Sequence, residues 1–300
     1  MTQKKIYVIG SSNTDMVIKS SKLPAAGETI IGEDFLMNAG GKGANQAVAS
    51  AKLGGDIIFV SKVGNDIFGK QAIEGFEEVG INIDFVFVDD KNPSGIALIL
   101  VDEKGENSIS VASGANANLH FPEVEKALQN ITEGDIVLIQ LEIPISTIEE
   151  TIKFCHHKKA TIILNPAPAQ KIDESVFPYI SFITPNETEA ELLTGIKVTD
   201  LETAKLASEE FHKKGIENVI ITLGSKGAFL HNSKTQKLIS SPIVKAVDTT
   251  AAGDVFNGAL TVALSKDVVL EQAIEFACKV ASISVTRMGA QASAPLLAEI

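Results

Sequence analysis

Cysteine is scarce in this chain: only Cys155 and Cys278 occur, far apart and without CxxC spacing, which points to a reduced, cytoplasmic protein rather than a disulfide scaffold or a thiolate metal site. Basic charge is also in short supply. Against 38 acidic residues stand 26 Lys and Arg, a formal net charge of −12, which argues against a nucleic-acid or membrane-binding surface. Any phosphate bound here is therefore expected on backbone amides and a few specific cations. No apolar run approaches the roughly 18 residues of a membrane helix, and Met1 leads through Thr2-Gln3-Lys4-Lys5 straight into an apolar strand with no targeting pattern. Repeats, low-complexity tracts and interdomain linkers are absent, so residues 1–300 are read as one unit. Two familiar nucleotide signatures are missing as well. Walker A would need Ser or Thr after Lys42 and glycine five residues before Gly41, where the chain has Gly43 and Leu36. After the first strand, Gly10-Ser11-Ser12-Asn13 lacks the glycines of the dinucleotide fingerprint, which argues against a nicotinamide-dependent oxidoreductase.

What is present is a hydrophobic content of 45%, arranged as short continuous apolar runs at Ile6 to Ile9, Ile57 to Val60, Ile136 to Ile139, Ile162 to Leu164, Phe182 to Thr184 and Val219 to Leu223. Runs of this kind suit strands covered on both faces, and most precede a helical pattern. The expectation is an α/β protein with a doubly wound, mostly parallel sheet flanked by helices, and ligands beyond the carboxyl ends of its strands. Asn13, Glu142, Asn165, Asn186 and Thr222 fall at those ends. Thr14 to Phe35 and Ser94 to Val111 break the rhythm and read as hairpins without helices. They predict a small β-sheet lid, within 11–36 and 93–112, covering the ligand and offering edges to a second subunit.

Asp248-Thr249-Thr250-Ala251-Ala252-Gly253-Asp254 joins the valine-bearing segment Ile243 to Val247 to an apolar helical pattern beginning at Val255. Ala251, Ala252 and Gly253 carry almost no side chain, so a phosphate can reach their N–H groups where a helix dipole is positive. Asp254 would supply a carboxylate to a group losing its proton as it attacks that phosphate. The plainer reading makes Asp254 a helix cap and the small residues mere packing aids; the segment alone leaves both open. Gly40-Gly41-Lys42-Gly43 opens the helical pattern Ala47 to Leu53, and the turn would aim Lys42 and Asn45 at a polyhydroxylated ligand; a simple tight turn is the alternative. Asn13 and Asp15 project to one side of an extended segment, as sugar-binding acceptors or as an ordinary turn. Asn186 and Glu189, three apart on one helical face, are either caps or contacts to a nucleotide's phosphates and metal. Thr222-Leu223-Gly224-Ser225-Lys226-Gly227 is a hydroxyl-bearing loop that could pass beneath phosphates. Ser284 to Ser293 offers carbonyls for a hard cation, or a helix C-cap completed by Gly289. His156 and His157 read as a solvated helix end.

Together these segments resemble the ribokinase-like carbohydrate kinase family over nearly the whole chain. Gly40-Gly41-Lys42-Gly43-Ala44-Asn45-Gln46-Ala47 and Asp248 to Asp254 are similar to its two signatures, supported by Leu164 to Ala169 and Ile183 to Glu191. The resemblance implies ATP-dependent phosphorylation of D-ribose at its 5-hydroxyl, with Asp254 as base and the amides of Ala251, Ala252 and Gly253 as anion hole. It implies sugar contacts at Asn13, Asp15, Gly40, Gly41, Lys42, Asn45, Glu142 and Asp254. Nucleotide contacts would be Asn186, Glu189, Thr222, Gly224, Ser225, Gly227, Ala252 and Gly253, with Mg²⁺ arriving on ATP. A monovalent cation, K⁺, would sit against Asp248, Thr250, Ser284, Arg287, Gly289 and Ser293, largely through carbonyl oxygens. Cys278 falls where an adenine contact, His or Asn, is expected, and a homodimer through the lid is implied. Rival substrates are deoxyribose, fructose, a keto-sugar acid or a nucleoside; a non-catalytic sugar sensor is the remote alternative.

Overall fold

The computed structural model describes residues 4–300. Its frame grows from β1 (Ile6–Ile9), whose four residues are all buried. This strand pairs in parallel with β4 (Ile57–Gly64) on one side and β8 (Ile136–Ile139) on the other, which is why its apolar run is unbroken rather than alternating. Beyond β4 lies β5 (Asn82–Asp89); beyond β8 follow β9 (Thr161–Leu164), β10 (Phe182–Ile183) and β11 (Asn218–Thr222), all parallel. The sheet closes with an antiparallel pair, β12 (Ala228–His231) and β13 (Gln236–Ile239). Among the described residues the sheet has nine strands, in the order β13-β12-β11-β10-β9-β8-β1-β4-β5.

Alternate residues of each strand face opposite helical layers. Tyr7 and Ile9 pack into a core with α3 (Phe121–Ala127), α4 (Ile145–His157), α5 (Glu187–Thr194) and α6 (Leu201–Lys213). Ile6 and Val8 pack into a second core with α1 (Lys42–Lys52), α2 (Ile67–Glu78), α7 (Ala252–Ser265) and α8 (Leu270–Ser284). The sheet is thus doubly wound and mostly parallel. Strand order reverses between β1 and β8, so their carboxyl ends frame the crevice in which such sheets bind ligands.

A separate four-stranded sheet projects from this end: β3 (Asp34–Gly40), β2 (Asn13–Lys19), β6 (Gly95–Val101) and β7 (Asn107–Ala112), in that order. Asp66 roots it. This N-cap of α2 accepts from Gly69 N at 2.8 Å and also from Ser94 N and Ser94 Oγ at the foot of β6. Three strands escape the search for continuous apolar runs. β5 and β13 are outer strands with uneven exposure, whereas β12 is buried through Ala228, Phe229 and Leu230 but its apolar run is only three residues long, between Gly227 and His231. Ile243 to Val247, by contrast, is irregular, and α1 begins five residues before the pattern at Ala47.

Candidate active site

Helix α7 starts without a side-chain cap: its N-cap is Ala251, held at φ 59°, ψ 13° in the left-handed region. An alanine there is strained by about 1–2 kcal/mol, and the turn it makes presents a nearly bare backbone at a helix N-terminus. Asp254 lies in the first turn, yet its carboxylate does not return to its own helix. It accepts from Asn45 Nδ2 at Oδ2 and from Gln46 Nε2 at Oδ1, both at 2.9 Å and both from α1. The helix-cap reading of Asp254 is therefore corrected. Burial pushes the Asp254 carboxyl above its ordinary pKa, opposed by the Lys42 ammonium and the two amide donors.

The glycines before α1 allow the approach. A β-carbon on Gly41, at φ 88°, would lie 2.7 Å from Asn13 N, and one on Gly43 2.5 Å from Ser11 N. The first turn of α1 consequently rests directly on the chain leaving β1. Gly40 leaves room for the Asp15 carboxylate, which a side chain at Gly40 would overlap. Asn13 is buried, with Oδ1 accepting from Asn116 Nδ2 at 2.8 Å. Glu142 Oε2 accepts from Ser11 Oγ at 2.5 Å and from Lys42 N at 2.9 Å. Lys42 is a cation enclosed by acids: burial opposes its charge, but Asp254, Glu142, Glu189 and Asp15 outweigh this and raise its pKa. Asp15 in turn is pushed up to about 6 by burial, then by Glu142 and Asp254, against the pull of Lys42. The fold thus gathers Asn13, Asp15, Gly40, Gly41, Lys42, Asn45, Glu142 and Asp254 from four separate segments.

On the other side of Ala252 and Gly253 opens a cleft of about 650 Å³, lined also by Asn186, Thr222, Gly224, Ser225, Gly227 and Cys278. Gly227 has φ 107°, and any side chain there would strike the backbone after β13. A smaller cavity of about 180 Å³ joins the two halves, bounded by Lys42, Glu189 and Ala251 to Asp254. Asn186 and Glu189 form a reciprocal capping box at α5: Asn186 Oδ1 accepts from Glu189 N, and Glu189 Oε2 accepts from Asn186 N, each at 2.8 Å. Both also line the small cavity, so capping and facing a ligand coexist. Burial lifts Glu189 to about 6, against the Asn186 amide donor and Lys42.

Asp248 ties the loop before α7 to the segment after α8. Its Oδ1 accepts from Thr250 N and its Oδ2 from Gly289 N, both at 2.9 Å; burial opposes the charge, but these bonds hold its pKa below the usual value. Val247 and Asp248 also donate to Val285 O. The hydroxyls of Ser284 and Ser293 donate to carbonyls of their own segments. The Arg287 guanidinium pairs with Glu299 at 2.7 Å, leaving only its main chain for any ion. Among the described residues no group of three His, Cys, Asp or Glu side chains could hold a metal, so a cation here would rest on carbonyl oxygens. Gly289 does not complete the C-cap of α8, which ends at Ser284 with Val285 as cap. His156 and His157 end α4.

Gln46, Gln140, Asn116 and Ser11 were not identified as site residues from the sequence. Each is polar and buried, but the partners that give it meaning lie 94 or more residues away. The one local signal was Gln46 in the alanine-rich segment Ala44 to Ala51, a costly residue to bury without bonds.

A family model described as pfkB family carbohydrate kinase matches residues 3–297. The chain is 42% identical to the ribokinase of Haemophilus influenzae over 98% of its own length and 96% of the relative's. It is 36% identical to the deoxyribokinase of Salmonella typhi, covering 97% of this chain and 95% of that one. The solved structure of Arabidopsis thaliana ribokinase complexed with ribose and ATP superposes with a TM-score of 0.92, at 33% identity, covering 99% of this chain and 97% of the other.

Proposed function

The chain belongs to the pfkB family of carbohydrate kinases, and from that premise we propose that it transfers the γ-phosphoryl group of ATP to the 5-hydroxyl of D-ribose. One observation carries the reading: Asp254 is turned away from its own helix and held by Asn45 and Gln46, beside the bare turn Ala251 to Gly253 in the small cavity it shares with Lys42 and Glu189. The ribose occupies the side of Asn13, Asp15, Gly40, Gly41, Lys42, Asn45 and Glu142. ATP occupies the cleft of Asn186, Thr222, Gly224, Ser225 and Gly227, with Glu189 at its inner end. Asp254 accepts the hydroxyl proton as the oxygen attacks phosphorus, and the amides of Ala251, Ala252 and Gly253 meet the charge on the transferring group. Lys42, above its ordinary pKa, stays an ammonium facing the cavity in which transfer occurs.

Four carboxylates around one lysine make this an acidic place for a polyphosphate, which supports a requirement for Mg²⁺ on the nucleotide. When bound, that ion neutralises phosphate charge; Glu189 and Asn186 offer the oxygen chemistry that suits it, directly or through water. K⁺ fits the carbonyl-rich segments around Asp248, Thr250, Ser284, Arg287, Gly289 and Ser293, where it would steady the loop carrying the anion hole. Activity undiminished when choline replaces potassium would remove that ion from the account. The cysteines are free and buried, which favours a cytoplasmic enzyme; recovery from a cell-envelope fraction would contradict this.

The test is a phosphorylation assay with ribose, ATP, magnesium and potassium, alongside Asp254→Asn. That variant should keep its fold and lose about 10²–10⁴-fold in kcat; full activity would reject Asp254 as the base. A second reading, 2-deoxyribose, is favoured by the deoxyribokinase likeness. A site that hydrogen-bonds a hydroxyl discriminates strongly against its absence, so kcat/KM for ribose trailing that for deoxyribose would overturn the first choice.

A further inference from the structure

Three side-chain amides form a buried chain beneath Asp254, and one backbone carbonyl settles which way each of them faces. Asn165, just beyond β9, donates from Nδ2 to Thr184 O at 3.0 Å, so its Oδ1 is turned toward Gln46. Gln46 then meets two acceptors, Asn165 Oδ1 and Asp254 Oδ1, each 2.9 Å from its Nε2. Only the amide nitrogen, with two hydrogens, suits that place. Its Oε1 is left to accept from Gln140 Nε2 at 2.6 Å. Gln140 Oε1 has no partner among the described residues, and it sits where any side chain at Gly10 would collide with it. Gln46 and Gln140 are both fully buried. A buried, orphaned acceptor is unfavourable, so this arrangement persists only because the other contacts demand it. Asn45, the second donor to Asp254, has no comparable support: its own Oδ1 is buried and unpartnered.

We propose that Gln46 is a positioning residue for phosphoryl transfer, locked in one orientation by Asn165 and Gln140 so that it clamps Oδ1 of Asp254 and aims the carboxylate at the substrate hydroxyl. The proposal rests on the reading of Asp254 as the base. Gln46 itself is fully buried and lines neither the large cleft nor the small cavity. Its effect is electrostatic as well as geometric, because a donor to a carboxylate favours the charged form. The other charges bearing on Asp254 are the Lys42 ammonium on α1 and the Glu142 carboxylate beyond β8, with Asp15 on β2 and Glu189 on α5 also coupled to it. None of these is altered by an apolar replacement at residue 46.

The experiment measures kcat and kcat/KM for the sugar across pH in the full chain for wild type, Gln46→Met, Gln140→Met and Asp254→Asn. Gln46→Met should lower kcat about 10- to 100-fold with little change in sugar KM. The acid limb of its profile should move up by about one pH unit, since one hydrogen bond to a carboxylate is worth that much in pKa. Gln140→Met reaches Asp254 only through Gln46 and should shift the limb in the same direction by less. A purely structural role would lower thermal stability while leaving the limb where it was, and that outcome in Gln46→Met overturns the proposal. If Gln46→Met does not fold, an unshifted limb in Gln140→Met overturns it instead. Substantial activity in Asp254→Asn would defeat the underlying reading of the base; an inactive Asp254→Asn beside an unshifted Gln46→Met defeats this inference alone.

Discussion

Asp15 sits above Gly40 with its carboxyl raised from 3.8 to about 6, chiefly by burial and then by Glu142 and Asp254. A carboxyl displaced upward in the folded chain makes stability depend on pH in a definite direction. Below about 3.8 folded and unfolded chains both hold the proton, and Asp15 contributes no difference. Between 3.8 and about 6 the folded chain keeps a proton that the unfolded chain has lost, so stability falls as pH rises. Above about 6 the cost is constant, on the order of 2–3 kcal/mol at roughly 1.4 kcal/mol per unit. Asp15→Asn should therefore melt higher than wild type at pH 8 in the absence of ligand and converge with it near pH 4, while its sugar KM rises. A melting difference that does not vary with pH would reject this account. The trade of stability for function is common where charged groups are crowded to meet a ligand. Asp15 was legible as a candidate beside Asn13 because the strand pattern placed the two on one side. Gln46 was not, since an amide one position after Asn45 acquires a role only when α7, β8 and β9 are brought over it.

Helices α1 and α7 cross at a contact that only small residues permit. A β-carbon on Gly258 would stand 2.9 Å from Ala49 Cβ, 3.0 Å from Gln46 O and 3.1 Å from Ser50 N, and Ser50 Oγ donates across the crossing to Gly258 O at 3.3 Å. The same crossing delivers Asn45 and Gln46 to Asp254, one helical turn earlier on α7. Gly258→Val must push the helices apart, which overpacking data put at about 1–3 kcal/mol. Loss of the amide–carboxylate bonds should lower kcat more than it raises either KM. Thermal melts and steady-state kinetics on this variant check both parts, and a protein with wild-type melting and full kcat would remove the crossing from the mechanism. Glycine-rich turns and apolar runs marked α1, α7 and the central strands in the sequence. The edge strands β5 and β13 were obscured because their exposure is uneven, β12 because its apolar run is only three residues long, and the short strand β10 was legible only as an apolar run that continued into Thr184.

At the scale of the whole molecule, the register of the small sheet divides its residues between two faces. Asn13 is opposite Gly40 and Asp15 opposite Asn38 and Ala97, so these share one face, the one on which the proposed sugar contacts lie. Met16 is opposite Met37 and Leu98, and Ile18 opposite Phe35 and Leu100, placing large apolar side chains on the other face. There Phe35 is 59% and Leu98 56% exposed, and Ile18 and Met37 are also open. Contiguous apolar surface of this kind is uncommon on a lone soluble chain and marks a place of association. Among the described residues the outer strands β3 and β7 are also edges, each paired on one side only. The two helix-free interruptions in the sequence pointed to a second small sheet, but not to which face would be left uncovered, because that depends on register between strands as far apart in sequence as Asn13 and Gly95. We propose that a homodimer joined through this sheet covers the exposed face. Light scattering should then return about twice the 31.8 kDa mass of one chain, and Phe35→Glu together with Leu98→Glu should return a single-chain mass. Because the opposite face of the same strands carries Asn13 and Asp15, the separated chains should also show a raised sugar KM with kcat less affected. A wild-type protein that scatters as one chain at assay concentration would mean the apolar face serves something other than a second copy.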